Sequence, residues 1–254
     1  MTGAEGGVET AVQAGSWRLI GAGATDRGPV RRENQDDFRL VPLGSTGLGL
    51  ILADGMGGHS GGREAAEAAV AGAADRLGAR VGGDERLREA VAVANAAVAG
   101  VRLQLGGNPG TTMVAAVVEG GRLTLAHAGD SRAYLVRDGE ATQLTSDHSV
   151  TGEQVRAGTL DPETARRDPR RNYVTRALLG DPVEPDLAEL ALVSGDVVVL
   201  CTDGLWEPLT DGQIAGLAGG DVTPAEGSRR LVAAALAAGA TDNVTAVVAR
   251  LDLS

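Results

Sequence analysis

Residues 47–54, GLGLILAD, form a nearly continuous apolar run that ends in an aspartate and leads into the glycine-rich stretch GMGGH at 55–59. A short apolar run of this kind predicts a buried β-strand. The same arrangement recurs along the chain, with an aspartate at the margin of an apolar run each time. If these strand ends meet at one edge of a sheet, their carboxylates share one cleft. The aspartates are Asp36, Asp54, Asp130, Asp203 and Asp242.

Such a group of carboxylates predicts a cation. Several carboxylates in one cleft raise one another's pKa values unless a positive charge neutralises them. Oxygen-only ligands favour magnesium or manganese, whereas zinc and copper sites usually include His or Cys. The chain has one cysteine and three scattered histidines, without metal-ligand spacing. We therefore expect a pair of hard divalent ions, and we expect Cys201 to be a buried small hydrophobe.

The composition sets limits on the class of protein. The 254 residues are 43% hydrophobic, which is enough for one domain with a substantial core. We predict that residues 1–15 form a disordered tail and that residues 16–254 form one domain. A net charge of −11 and 2% aromatic content argue against nucleic-acid binding. The sequence shows neither a membrane span nor a signal peptide, and with its unpaired cysteine it is expected to be cytoplasmic.

The periodicity of the chain changes several times. Strands are predicted at 17–26 and 37–44, a helix from Arg63, and a second helix with Asp84 as its N-cap. After Gly110 come short strands, with a tight hairpin at Asp138-Gly139. Short sequential strands indicate an antiparallel meander and disfavour a doubly wound nucleotide-binding fold. Residues 148–176 are polar, without strong periodicity, and are predicted to be a long functional or disordered loop.

Seven short motifs in the same order resemble the metal-dependent protein serine/threonine phosphatases of type 2C, in their bacterial form. They are VRRENQD (30–36), LADGMGGH (52–59), GTT (110–112), AGDSR (128–132), LTSDHS (144–149), CTDGLW (201–206) and TDNVT (241–245). Each alone is weak, but their order makes coincidence negligible. The resemblance implies an α+β fold: a four-layer αββα sandwich of two antiparallel sheets flanked by helix pairs, with a metal centre at one edge.

The resemblance also implies the chemistry of the site. A water bridging two manganese or magnesium ions would attack phosphoserine or phosphothreonine directly, without a serine or cysteine nucleophile. The implied roles are Asp54 as the ligand that bridges the ions, the Gly55 carbonyl as a ligand of one, Asp203 and Asp242 as ligands of the other, Asp36 as a contact through water, Asp130 at a third, weaker ion, and Arg31 on the substrate phosphate.

The chain departs from the family at two positions and leaves one role open. Met56 stands where animal members carry a histidine, and Gln35 stands where some members carry a glutamate. The proton donor to the leaving group is therefore open, with His59 either at the cleft rim or structural. Residues 148–176 correspond to the family's variable flap. We expect its arginines to be mostly solvated charges, with a phosphopeptide contact as the alternative. They are Arg166, Arg167, Arg170, Arg171 and Arg176.

Two functional alternatives remain open at this level. The first is a catalytically weak phosphatase-like module that binds phosphoproteins or regulatory partners, although none of the expected aspartates is missing. The second is a phosphatase restricted to regulators of sigma factors. For the leading hypothesis the partners are phosphorylated proteins, including substrates of a serine/threonine kinase. We expect a monomer that binds neither nucleic acid nor a membrane.

Overall fold

Two antiparallel β-sheets are stacked face to face, and helices cover both outer faces. The computed structural model describes residues 5–45, 47–57, 61–78 and 83–253. The strands in these residues are β1 Glu5–Ala14, β2 Trp17–Asp26, β3 Asp36–Pro42, β4 Gly47–Met56, β5 Gly110–Thr111, β6 Met113–Glu119, β7 Arg122–Ala128, β8 Arg132–Arg137, β9 Glu140–Gln143, β10 Asp186–Ala191, β11 Val197–Cys201 and β12 Val244–Leu253. The helices are α1 Gly62–Leu77, α2 Gly83–Leu105, α3 Val150–Arg156, α4 Pro162–Ala165, α5 Asp203–Trp206, α6 Asp211–Ala218 and α7 Pro224–Ala237.

The strand order within each sheet differs from the order along the chain. One sheet runs β1-β2-β12-β11-β8-β9, and the second runs β10-β7-β6-β4-β3, with β5 paired to the end of β4. The described pairings are antiparallel. This agrees with the predicted α+β sandwich of four layers and excludes the doubly wound alternative.

Strand β4 is apolar on both faces because both faces are covered. Leu50 and Leu52 lie in the core between the sheets, whereas Ile51 and Ala53 pack toward α1 and α2. The sequence of a strand that is covered on both sides is a continuous apolar run, since neither face contacts water. The predicted strand at 47–54 is confirmed, and it continues through Met56.

The outer layers differ in their contacts. Small alanines such as Ala65 and Ala69, both fully buried, form the face of α1 on the second sheet. On the other side, α6 and α7 pack on the first sheet. The second helix begins at Gly83, so Asp84 lies inside its first turn and the prediction of Asp84 as the N-cap is wrong. In the described part of the chain, no helix combines the length and apolarity that crossing a membrane requires.

The predicted hairpin at Asp138-Gly139 is confirmed. Both residues have positive φ, 53° and 82°, and Arg137 pairs with Glu140 across the turn. Two consecutive left-handed residues match the right-handed twist of the flanking strands, which is why Asp-Gly is favoured here.

The predicted disordered tail is wrong over residues 5–14, which form β1 and pair with β2. Val12 and Ala14 are buried, while the alternating residues Ala11 and Gln13 are exposed. This alternation is typical of an edge strand with one covered face. It spans too few apolar residues to stand out from the sequence. Residues 1–4 lie outside the described part of the chain.

The polar segment 148–176 contains two short helices and is not simply a loop. Ser149 caps α3 by accepting a hydrogen bond from the Gly152 amide, and Asp161 caps α4 by accepting one from the Thr164 amide. Such caps satisfy amides that a short helix leaves unpaired. Helices of seven and four residues are too short to give a clear hydrophobic period.

Most of the flap arginines are held by protein groups, contrary to the expectation of a solvated loop. Arg171 pairs with Glu207 through Nε and Nη2, and Arg166 donates to the Trp206 and Leu209 carbonyls. Arg176 binds Asp186. The physical reason is that these side chains fold back onto the body of the protein, which anchors the flap beside the sheets.

Candidate metal centre

The predicted site residues meet at one edge of the sandwich, as expected from their strand-end positions. Asp36 and Asp54 are paired in the register of β3 and β4, while Asp203 follows β11 and Asp242 precedes β12. Asp54, Asp203 and Asp242 line a cleft of about 460 Å³. Six predicted residues line this cleft: Arg31, Asp54, Gly55, Asp130, Asp203 and Asp242.

Asp36 lies behind the cleft wall and is buried. Its Oδ2 accepts hydrogen bonds from Thr202 Oγ1 (2.9 Å) and Thr245 Oγ1 (2.6 Å). Burial raises the pKa of Asp36 to about 7, although the two threonine hydroxyls oppose this shift. Its buried Oδ1 has no hydrogen-bond partner among the described residues. A buried acceptor without a partner is suited to bind a cation, or a water molecule that is itself bound to a cation.

The carboxylates that line the cleft are poorly compensated by protein charge. Burial raises the pKa of Asp54 well above its ordinary value, and the charges of Asp36 and Asp203 raise it further. Burial also raises the pKa of Asp203 well above its ordinary value, and the charges of Asp130 and Asp242 raise it further. The pKa of Asp130 rises to about 7, with burial the main cause. A buried, oxygen-only cluster with excess negative charge fits hard divalent cations.

The GTT motif holds the backbone of Asp54. Its carbonyl accepts from the Thr111 hydroxyl and from the Thr112 amide, both at 2.9 Å, and its amide donates to Thr112 Oγ1 at 3.1 Å. The Thr112 hydroxyl also contacts Ser131 Oγ at 2.8 Å. No role was predicted for these hydroxyls, although the GTT motif contains both threonines.

Asn243 organises the loop that carries Arg31. Its Nδ2 donates to the carbonyls of Arg27 and Glu33, and its Oδ1 accepts from the Gln35 amide at 2.8 Å. The side chain therefore fixes the segment before Asp36 against the strand end beside Asp242. This role also was not predicted from the TDNVT motif.

Two glycines that follow site aspartates are required by close backbone packing. A Cβ on Gly55 would lie 2.2 Å from the Gly62 carbonyl oxygen, and one on Gly204 would lie 2.0 Å from that of Asn243. Real atoms do not approach so closely without a shift of the backbone. Both Asp-Gly pairs therefore require a glycine at the second position.

Arg31 lies at the mouth of the cleft and contacts Asp242. Its Nη2 donates to Asp242 Oδ2 at 2.5 Å, and its side chain is 54% exposed. It therefore provides a cation at the rim that an incoming anion can reach. Arg32 is exposed and does not line the cleft.

No histidine lines the cleft among the described residues, and Met56 lines it at the position where animal members of the resembled family carry a histidine. His59 lies outside the described residues. His127 and His148 are buried and stack with their ring centres 4.4 Å apart. With Asp186 they form a separate group of possible metal ligands, behind Gly129.

The chain belongs to the protein phosphatase 2C family, whose sequence model matches residues 30–238. It is 42% identical over 234 residues to the serine/threonine protein phosphatase PstP of Mycobacterium tuberculosis, covering 90% of this chain and 44% of that protein. It therefore spans less than half the length of that relative. Protein phosphatase PhpP of Streptococcus pneumoniae is 33% identical over 239 residues, covering 90% of this chain and 96% of the relative.

Solved structures agree with this assignment. The M. tuberculosis phosphatase PstP superposes with a TM-score of 0.83 at 41% identity, covering 92% of this chain and 99% of that one. The catalytic domain of PstP in complex with two manganese ions gives 0.82 at 39% identity, covering 93% and 99%. The predicted family and fold class are thus confirmed.

Proposed function

We propose that this chain is a metal-dependent protein phosphatase that hydrolyses phosphoserine and phosphothreonine monoesters. The observation that carries the proposal is the convergence of four cleft-lining aspartates with one reachable arginine at the rim. Phosphate monoester dianions repel nucleophiles, so their hydrolysis requires concentrated positive charge. The cleft offers oxygen ligands for that charge and a guanidinium for the phosphate.

Each site residue has a proposed task. Asp54 would be shared between two ions, with the Gly55 carbonyl on one and Asp203 and Asp242 on the other. Asp36 would hold a metal-bound water through its unpartnered Oδ1. Asp130 would serve a third, weaker ion.

The ions proposed are manganese or magnesium, two in the core site. When bound, they would supply a low-pKa water and neutralise the phosphoryl oxygens. The protein's part is to hold the ligands in place, which the threonine and asparagine contacts around Asp36, Asp54 and Asp242 support. The guanidinium of Arg31 can bind two phosphate oxygens at once, and this fork geometry distinguishes arginine from lysine.

Phosphoproteins are the proposed substrates because the flap contributes to the cleft. Asn172, Tyr173 and Val174 line it, and Tyr173 is 63% exposed. An exposed aromatic side chain at the rim can pack against residues that flank a phosphorylated side chain. Kinase partnership, a monomeric state and a cytoplasmic location stay predictions from the sequence.

The decisive experiment is phosphate release from a phosphothreonine peptide with and without added manganese. We expect turnover that is lost on exhaustive chelation and restored by manganese. Peptide binding without turnover at any metal concentration would instead support the phosphatase-like binding module. The Asp203→Asn variant is the matched control, because it keeps the size of the side chain and removes the negative charge of one proposed metal ligand.

A further inference from the structure

Gly129, the residue before Asp130, has both of its polar backbone atoms held by two histidines. Its amide donates to His148 Nδ1 at 3.1 Å. Its carbonyl accepts from the His148 amide and from His127 Nε2, both at 2.8 Å. The residue also has a φ of +125°, and a Cβ would lie 2.5 Å from Thr112. The peptide leading into Asp130 is therefore set by these contacts.

The same histidine joins the two ends of the flap. The carbonyl of His148 accepts from the Thr175 amide at 2.8 Å, and the Val150 amide donates to the Tyr173 carbonyl at 3.0 Å. Ser149 and Val174 form a β-bridge between these contacts. Tyr173 and Val174 line the cleft, so His148 connects the cleft-facing arm of the flap to the backbone at Gly129.

The hydrogen bonds assign the tautomer of each ring. Nδ1 of His148 accepts a hydrogen bond from the Gly129 amide, so in the neutral ring Nε2 carries the hydrogen and lies 3.1 Å from Asp186 Oδ2. Nε2 of His127 donates to Gly129, which leaves its buried Nδ1 without a partner among the described residues. Burial lowers the pKa of both histidines, to about 3 at His127.

These tautomers do not suit a metal ion bound by the two histidines and Asp186. A cation at Nε2 of His148 would need the lone pair that the proton occupies, and freeing it would put a proton on Nδ1, against the Gly129 amide. The two rings are also nearly parallel, with 18° between their planes, so their lone pairs do not converge as ligands of one ion must. The group is better described as a hydrogen-bonded support.

We propose that His148 is a positioning residue, which sets the Gly129 peptide and thereby aims the Asp130 carboxylate while holding the flap arm 172–174 at the cleft. The proposal rests on the proposed function for its link to turnover. Its structural part, which concerns Gly129 and the flap, stands independently of activity. Outer contacts of this kind change metal affinity or activity by roughly 10- to 100-fold when they are removed.

Two near-isosteric substitutions separate the two ends of the ring. His148→Asn places an amide oxygen where Nδ1 lies and can still accept from Gly129. His148→Gln places its polar group near the Nε2 position and leaves the Gly129 amide without its acceptor. Asp186→Asn is the matched control, because it changes the carboxylate that faces Nε2 and leaves the Nδ1 contact intact.

The measurements are calorimetric manganese titration, the manganese dependence of phosphopeptide turnover, and hydrogen exchange at Gly129 and residues 172–175. For His148→Gln we expect about tenfold or greater weakening of the weakest manganese site and of half-maximal activation. Exchange at Gly129 and 172–175 should accelerate. His148→Asn and Asp186→Asn should stay within roughly threefold of wild type in manganese dependence, well short of the range for a lost outer contact.

The proposal is overturned if His148→Gln matches wild type in all three measurements. It is also overturned if His148→Asn is as impaired as His148→Gln at equal melting temperature. If His148→Gln does not fold, nitrogen NMR of the wild-type imidazoles decides: a proton on Nδ1 of His148 contradicts the proposal, and one on Nε2 supports it. Wild-type protein that shows no manganese-dependent turnover refutes the proposed function instead, while exchange and NMR still test the positioning role.

Discussion

Asp36 and Asp54 lie opposite each other in the register of β3 and β4, but their side chains have different surroundings. Asp36 is 8% exposed and accepts from two threonine hydroxyls, whereas Asp54 opens onto the cleft. Burial raises the pKa of both, and their neighbouring negative charges add to the shift. A bound cation would oppose these shifts, because it favours the ionised form of both carboxyl groups.

The first prediction concerns the stability of the metal-free protein. A carboxyl group whose pKa is raised on folding contributes stability below its unfolded pKa of about 4, and this contribution is lost as pH rises through the folded value. The folded pKa of Asp36 is about 7, and the charge of Asp36 is among the causes that raise the pKa of Asp54. Replacing Asp54 removes this repulsion between buried carboxylates at high pH. Asp54→Asn should therefore raise the melting temperature in chelator at about pH 7.5 more than at about pH 4.5, while turnover with manganese is abolished.

Asp75→Asn is the control for this experiment, because Asp75 is exposed on α1, away from the cleft. It should change neither the pH dependence nor turnover. An Asp54→Asn protein that is destabilised equally at both pH values would contradict the proposed charge repulsion.

The second prediction separates phosphate binding from metal binding. Arg31→Ala should lower kcat/KM by about tenfold to a hundredfold, because a charge-assisted hydrogen bond of roughly 1.5–3 kcal/mol is lost. Manganese affinity should not fall, since Arg31 competes with a cation for Asp242 Oδ2. Steady-state kinetics and calorimetry measure the two effects.

Arg32→Ala is the neighbouring control and should be nearly neutral, since Arg32 does not line the cleft. If Arg32→Ala impairs turnover and Arg31→Ala does not, the assigned register of the VRRENQD motif is wrong. The assignment of Asp36 would then need revision as well.

The third prediction tests the support of Asp36. Thr202 Oγ1 donates to Asp36 and accepts from the Thr245 amide at 3.1 Å. Thr202→Val keeps the shape but leaves that buried amide unpaired, which should cost about 1–3 kcal/mol of stability. It should also raise the pKa of Asp36 further and shift metal activation to higher pH. Thr202→Ser should restore both properties, and chemical denaturation with a pH–activity profile would show whether it does.

The fourth prediction concerns backbone approach at the site. Gly204→Ala should destabilise the protein by about 3 kcal/mol or more and abolish turnover, because its Cβ would meet the Asn243 carbonyl oxygen at 2.0 Å. Gly216→Ala is the matched control on α6, where no atom lies within 4 Å of the added Cβ. That change should stabilise the helix by about 0.5–1 kcal/mol. Thermal unfolding of both variants measures the contrast.

Long or distinctive patterns were predictable from the sequence. The apolar run of β4, the alanine-rich α1 and the Asp138-Gly139 turn each have a local physical cause: burial on both faces, close helix packing, and left-handed backbone. Elements with short or weak sequence patterns were not predicted. Strand β1 has one covered face and few apolar residues, and the flap helices end before a hydrophobic period can develop.

The sequence by itself determined the family, the strand-end aspartates and their suitability for hard cations, because motif order and residue chemistry are local properties of the chain. Only the tertiary structure decided which side chains support them. Thr202 and Thr245 reach Asp36 across 166 and 209 residues, and Asn243 reaches Gln35 across 208. Such contacts depend on how strands from both sheets converge at one edge, and no spacing along the chain encodes that geometry.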